Sequence, residues 1–401
     1  MENINEDIRY LAETLEHRQS ATEQEEQAAD YVLERLKPYV DEAHKTGYGV
    51  VDNFRLVMAA YYGEFVVTCA LAFWWPAVAF CYGFFIFIAY VAEFMGYPVF
   101  SRLFAYFESF SVVGFKEGEN PDRLLVFTAY LDTDTNPVSD AAGLPLLRYV
   151  HQALMAGMVL ILATCLVDAF GAYQGVANPF TWWIRTGGIA AFALTAGVVL
   201  LAAFGGDVSS GANHNASGIA ALLEIAQRLH KRRIRKASIL FYFSGGHHAN
   251  MAGMRGLVRE IIAARKETYI INLEGVGAGG LCYTESEGLL MATKCSKRLI
   301  SAAAQRAGRY KARAARVHDF ATAAYVPLIR GLNVISLIGL DKDNLPLNYG
   351  AEEDTRHHID PAAILNAARF AESIGRTVVN GCEADEAAAE ERAKTEEERE
   401  E

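Results

Sequence analysis

No CxxC pair occurs in this chain. Its six cysteines either lie in apolar runs (Cys69, Cys81, Cys165) or are scattered (Cys282, Cys295, Cys382). That excludes a zinc ribbon, gives no sign of a disulfide framework and fits a reducing compartment. No basic, aromatic-interleaved stretch stands out, so nucleic-acid binding is not expected. No apolar run opens the chain: residues 1–55 are polar, and no N-terminal signal peptide is expected.

Net negative charge is slight over most of the chain and concentrated at its end. The net charge is −11. Glu383 to Glu401 holds ten acids and three bases, a local −7 that leaves −4 for everything before it. This tail reads as a solvated, disordered or frayed helical end. The chain is nevertheless 52% hydrophobic, with mean hydropathy +0.10, so some segments must be strongly apolar.

Those segments form two blocks. The first runs from about Leu56 to Pro98 and has no charge between Phe65 and Ala92. It reads as two membrane spans turning at Trp75-Pro76, with Glu64 inside the first span. The second holds spans Tyr149–Gly171 and Trp183–Gly205, separated by a polar loop with its turn at Asn178-Pro179. Small residues in the last span allow close helix packing. Arg55, Arg102 and Arg148 flank the spans on one side and Arg185 alone lies on the other. The positive-inside rule then puts the polar part in the cytoplasm.

The polar part comprises residues 1–55, 99–148 and 207–382. Residues 56–98 and 149–206 read as transmembrane hairpins, and 383–401 as the tail. Leu124–Tyr130, Ala237–Phe243, Tyr269–Leu273 and Val334–Ile338 are short apolar runs with the length of buried strands. Asn215–His230 is an amphipathic helix after a GANHNASG loop, and a second helix runs through Glu260. Strands alternating with helices imply an α/β fold with a mostly parallel central sheet and helices on both faces. Ligands bind at the carboxyl ends of such strands, where Asp132, His247, His248 and Glu274 fall. His214 lies in the loop before its helix.

These motifs, in order, resemble metallopeptidase family 28, the zinc aminopeptidase-like fold of clan MH. Arg18-Gln19-Ser20-Ala21-Thr22 through Glu25 resembles the family's opening Arg-x-x-Gly-Thr-x-x-Glu. Phe127–Asp132 resembles its strand ending in His-x-Asp, and GANHNASG resembles Gly-Ala-Asp-Asp-Asn-Ala-Ser-Gly. Phe241–Gly253 resembles a strand followed by Gly-Glu-Glu. Asn272-Leu273-Glu274 and Glu353-Asp354-Thr355 resemble later family motifs. Both membrane hairpins would be insertions within that domain.

The resemblance implies two zinc ions bridged by one carboxylate, with a glutamate as general base. Position by position, the first histidine ligand falls on Tyr130 and the bridging aspartate on His214. The general base falls on His247, the next glutamate ligand on His248, and the last histidine near Gly350. Glu274 remains, with Asp132 as the supporting acid. Two readings follow. In one, His214, His248 and Glu274 hold a single zinc or other divalent metal. His247 or Asp132 then acts as base, and a peptide or small amide is the substrate. In the other, the chain is a catalytically inactive relative that binds a peptide or scaffolds a membrane complex.

Overall fold

The computed structural model describes residues 1–104, 106–133, 143–174, 179–205, 209–289 and 292–400. Among them, nine strands form one sheet. They are β1 (Glu42–Val50), β2 (Phe107–Lys116), β3 (Arg123–Tyr130), β4 (Ser238–Ser244), β5 (Glu267–Glu274), β6 (Gly280–Glu287), β7 (Thr293–Lys294), β8 (Arg313–Val317) and β9 (Asn333–Leu340). The order is β1-β2-β4-β3-β5-β9-β6-β7, with β8 also beside β6. The four strands expected from sequence are its centre, and β4, β3, β5 and β9 run parallel. Both flanks differ from the expectation. The pairs β1–β2, β2–β4, β6–β7 and β6–β9 are antiparallel, so the sheet is mixed. β1 is largely exposed, and β2 and β6 mix polar with apolar residues, so no continuous apolar run marked them.

Every residue of β3 is buried, as a strand covered on both faces requires. Its side chains alternate between two cores. Leu125, Phe127 and Ala129 face the core built with α1 (Glu2–Arg9) and α2 (Glu23–Leu36). Leu124 and Val126 face a smaller core on the other side.

Among the described residues, four helices are long and apolar enough to cross a membrane. They are α3 (Phe54–Leu71), α4 (Pro76–Phe94), α5 (Leu144–Gln174) and α6 (Pro179–Phe204). The first block is thus two helices, with Pro76 at the first position of α4, where its missing N–H costs nothing. Asn178, the expected second turn, lies outside the described residues. Apolar side chains face outward on this bundle, including Phe85, Ile88, Phe170, Leu194 and Leu201. Polar groups pair inside it: the Tyr82 hydroxyl meets Glu64, and Arg185 lies 2.7 Å from Asp168. The bundle is thus apolar on its outside, with polar pairs between its helices.

The remaining helices are α7 (Ser217–Lys231), α8 (Ala252–Ala264), α9 (Lys297–Tyr310), α10 (Tyr325–Ile329) and α11 (Pro361–Glu400). Helices α7, α9 and α11 join the first core, and α8 and α10 cover the other face. Residues 383–400 of the acidic tail lie within α11.

Strand direction fixes where the hairpins attach. β1 runs parallel to β4, because each is antiparallel to β2. α3 follows the end of β1, and α4 returns to the start of β2. α5 follows β3, and α6 leads to the turn before α7. Both hairpins therefore leave and re-enter at the end of the sheet where β3, β4 and β5 finish.

Candidate functional site

Four charged residues shape the loops at that end. The Asp132 carboxylate accepts the His247 amide at 2.8 Å, the His248 amide at 2.9 Å and the Ser20 hydroxyl at 2.6 Å. Glu25 accepts the Gly246 and Ala21 amides at 2.8 and 2.6 Å and the Ser109 hydroxyl at 3.0 Å. Asp354 accepts the amides of Asn213 and His214, at 2.6 and 3.1 Å. Arg18 donates to the Leu11 and Leu15 carbonyls and to Asn215 Oδ1. Two glycines are also required: Gly246 has φ +56°, and a Cβ on Gly245 would lie 2.2 Å from the Phe110 carbonyl.

This frame gathers three imidazoles around one phenol. The Tyr130 ring stacks on His247 with centroids 4.0 Å apart and planes at 14°. It meets His214 and His248 edge-on, at 5.6 and 5.8 Å. Its hydroxyl donates to the His214 carbonyl at 2.9 Å. Tyr349 closes on His214 from another side, centroids 4.1 Å apart. Nδ1 of His248 lies 3.1 Å from Asp132, whereas Nδ1 of His247 is buried with no hydrogen-bond partner.

The ionisation states follow from this burial. Desolvation, then the neighbouring His248 charge, pushes His247 down to about 3. His214 is likewise held well below the usual imidazole value, first by burial. Burial opposes the Asp132 charge, but the His248 hydrogen bond and charge prevail, with His247 and Ser20 helping, and its carboxyl sits below the usual range. Burial lifts Glu274 to about 7 and Asp354 to about 7.

The expected site residues fare differently. His214, His247 and His248 come together, and Asp132 sits behind them. Asp132 is engaged by the loop amides, Ser20 and His248, and burial holds His247 below the usual imidazole value. Glu274 is tied to the Asn272 amide and the Ala323 N–H, each at 3.1 Å. Among the described residues, no three His, Cys, Asp or Glu side chains are grouped to hold one ion. His214, His248 and Glu274 are thus not drawn together around one point in this structure. Two tyrosines, Tyr130 and Tyr349, pack against the imidazoles.

Sequence reading assigned no role to Glu25, Arg18, Asp354 or Tyr349. The first three stand in the quoted motifs, so the signal was present. Their work is to hold backbone, and only the folded loops reveal that.

A cavity of about 500 Å³ runs from His247, His248 and Tyr349 to the apolar helices. Phe54 and Met58 of α3, Leu154 of α5 and Val199 of α6 form its far wall. The Arg148–Asp319 ion pair, at 2.9 Å, lies on its side.

A family model described as peptidase family M28 matches residues 196–374. No curated protein sequence matches the chain. Among solved structures, it resembles BSAP, a zinc aminopeptidase from Bacillus subtilis, at 13% identity and TM-score 0.54 over 95% of each chain. It also resembles the Legionella pneumophila aminopeptidase LapA, at 9% identity and TM-score 0.53, over 94% of this chain and 71% of that one. A Bacteroides thetaiotaomicron glutaminyl cyclase bound to N-acetylhistamine is similar at 13% identity and TM-score 0.50, over 94% and 95%. At such identities the likeness establishes the fold.

Proposed function

Over residues 196–374 this chain is a member of peptidase family M28, and from that premise we propose a membrane-anchored binding protein built on the aminopeptidase fold. Its cleft takes an amphipathic ligand from the bilayer rather than cleaving a peptide with two zinc ions. One observation carries this reading: the cavity of about 500 Å³ is lined by His247 and His248 from the strand-end loop and by residues of all four apolar helices, which add Arg55, Arg148 and His151 to a mainly apolar wall. Its volume suits a small amphiphile. The apolar end receives a chain, and the imidazoles, with the Arg148–Asp319 pair, meet a polar head. The tyrosines packed against the imidazoles favour binding over two-metal hydrolysis.

The test is titration of the detergent-purified chain with a fluorescent long-chain fatty acid. Saturable binding, weakened by Leu154→Trp and Val199→Trp, is the expected result. Binding equal in the filled variants sinks the reading.

A second reading, hydrolysis of a peptide or amide bond at one remodelled metal ion, is favoured by a different observation. Nδ1 of His247 is buried without a partner. His248 also has its ring fixed by a carboxylate, as metal-bound histidines do. Elemental analysis separates the two readings. About one metal per chain, lost in His214→Ala/His248→Ala, would support the metalloenzyme.

A further inference from the structure

A second pocket lies away from the cleft and carries the opposite chemistry. The C-terminal half of α7, the last turns of α9 and the middle of α11 enclose a groove of about 550 Å³. Arg228 and Arg232 line it from the end of α7, Arg306 and Arg309 from α9, and Arg369 and Arg376 from α11. Glu372 is the only carboxylate among its lining residues. The sequence places them there by helical spacing: 306 and 309 are three apart, and 369, 372 and 376 follow i, i+3, i+7. Arg232 belongs to the basic run His230–Lys236, a signal that composition alone had hidden in a chain of net charge −11.

The two halves of the arginine set do different things. Glu372 binds Arg228 at 2.6 Å and Arg376 at 2.9 Å, which locks the groove floor. Arg376 also donates to the Arg232 and Arg233 carbonyls. Among the described residues, Arg232, Arg306, Arg309 and Arg369 form no ion pair. Arg306 donates to Thr377 at 3.0 Å, and Arg309 lies over the Tyr310 ring. Six guanidiniums share only Glu372 and, through Arg228 at 3.8 Å, Glu224, and such an excess of positive charge favours entry of an anion. The set contains no lysine, and arginine forks match phosphate oxygens in pairs.

We propose that this groove binds a small soluble polyphosphate of nucleotide size. Its volume fits such a ligand. Its position argues against a lipid headgroup. α7 starts at the cleft, where the hairpins attach, and Arg228 lies eleven residues further on, roughly 16 Å at 1.5 Å per residue. That exceeds the screening length of physiological salt. The proposal is independent of what occupies the cleft.

The experiment is calorimetric titration of the full detergent-purified chain with ATP and with inorganic pyrophosphate. Both should bind, more tightly than AMP, and binding should weaken steeply with salt. Arg309→Ala and Arg369→Ala should each weaken it about ten-fold or more. Neither residue is ion-paired, so thermal unfolding should be unchanged and a folding defect is separable. No binding of either probe, or equal binding by the double variant, would overturn the proposal. Short-chain phosphatidylglycerol binding in place of ATP would overturn the soluble source. Binding that appears only after removal of residues 383–401 would assign the groove to the chain's own acidic tail, and would overturn it as well.

Discussion

Nδ2 of Asn250 lies 3.3 Å from the carboxylate of Glu93, and this contact joins the end of α4 to the loop carrying His247 and His248. Asn250 also donates to the Glu93 carbonyl at 3.1 Å. Glu93 is fully buried and accepts the Val99 amide at 2.8 Å, the Phe100 amide at 2.9 Å and the Ser101 hydroxyl at 2.6 Å. Glu93→Ala removes the carboxylate acceptor of Val99, Phe100 and Ser101, at about 1–3 kcal/mol each, while Asn250 keeps its bond to the backbone carbonyl. Asn250→Ala removes one partner and should cost about 1 kcal/mol. Thermal unfolding in detergent checks the order. If Asn250→Ala proved the more damaging, the hairpin would not be anchored through Glu93.

Tyr130 offers a graded test of the imidazole cluster. Tyr130→Phe removes only the bond to the His214 carbonyl and should cost about 1 kcal/mol. Tyr130→Ala empties a buried position against three rings and should cost about 3–5 kcal/mol. Equal stability of the two variants would mean that the ring does not pack as described.

Glu25 sets a pH dependence. Burial, then the charge of Asp132, lifts its carboxyl to about 8, against an ordinary value of 4.5. The folded state therefore holds the proton more tightly than the unfolded chain. This contribution is fully present below about pH 4.5 and is lost as the pH rises through about 8. Its size is on the order of a few kcal/mol. Glu25→Gln should flatten the decline in stability over that window and leave the variant more stable than the parent at pH 9. Parallel stability curves for the two proteins would count against it.

Asp168 and Arg185 are paired at the turn end of the second hairpin. Arg185 also donates to the Ala72 carbonyl at 2.7 Å, which ties the two hairpins together. Asp168→Ala leaves a buried guanidinium without its counter-charge and should cost about 3–5 kcal/mol. Asp168→Ala/Arg185→Met should cost less than the single change. Unfolding of both variants in micelles measures the difference.

Much of this was legible before any coordinates. The runs around Val126, Leu240, Ile271 and Ile335 are apolar and bounded by turn residues, and they became the central parallel strands. Trp75-Pro76 marked the first hairpin's turn. The flanking strands were not legible. Glu42–Val50 contains two glycines and alternates with polar residues, so its strand character comes from pairing with Phe107–Lys116. In the site, the sequence picks out the residues, and the fold supplies their contacts. An aspartate at a strand end reads the same whether it takes a substrate proton or two backbone amides.

By itself, then, the sequence determined the four apolar helices, the central strands and the histidines at strand ends, because these depend on local pattern and length. Only the tertiary structure decided what those groups do. Asp132 is consumed by the amides of residues from another strand's loop, Tyr130 lies against three imidazoles, and the arginines of three helices converge on one groove. Each of these depends on side chains far apart in the chain, and long-range proximity sets their hydrogen bonds, burial and charge.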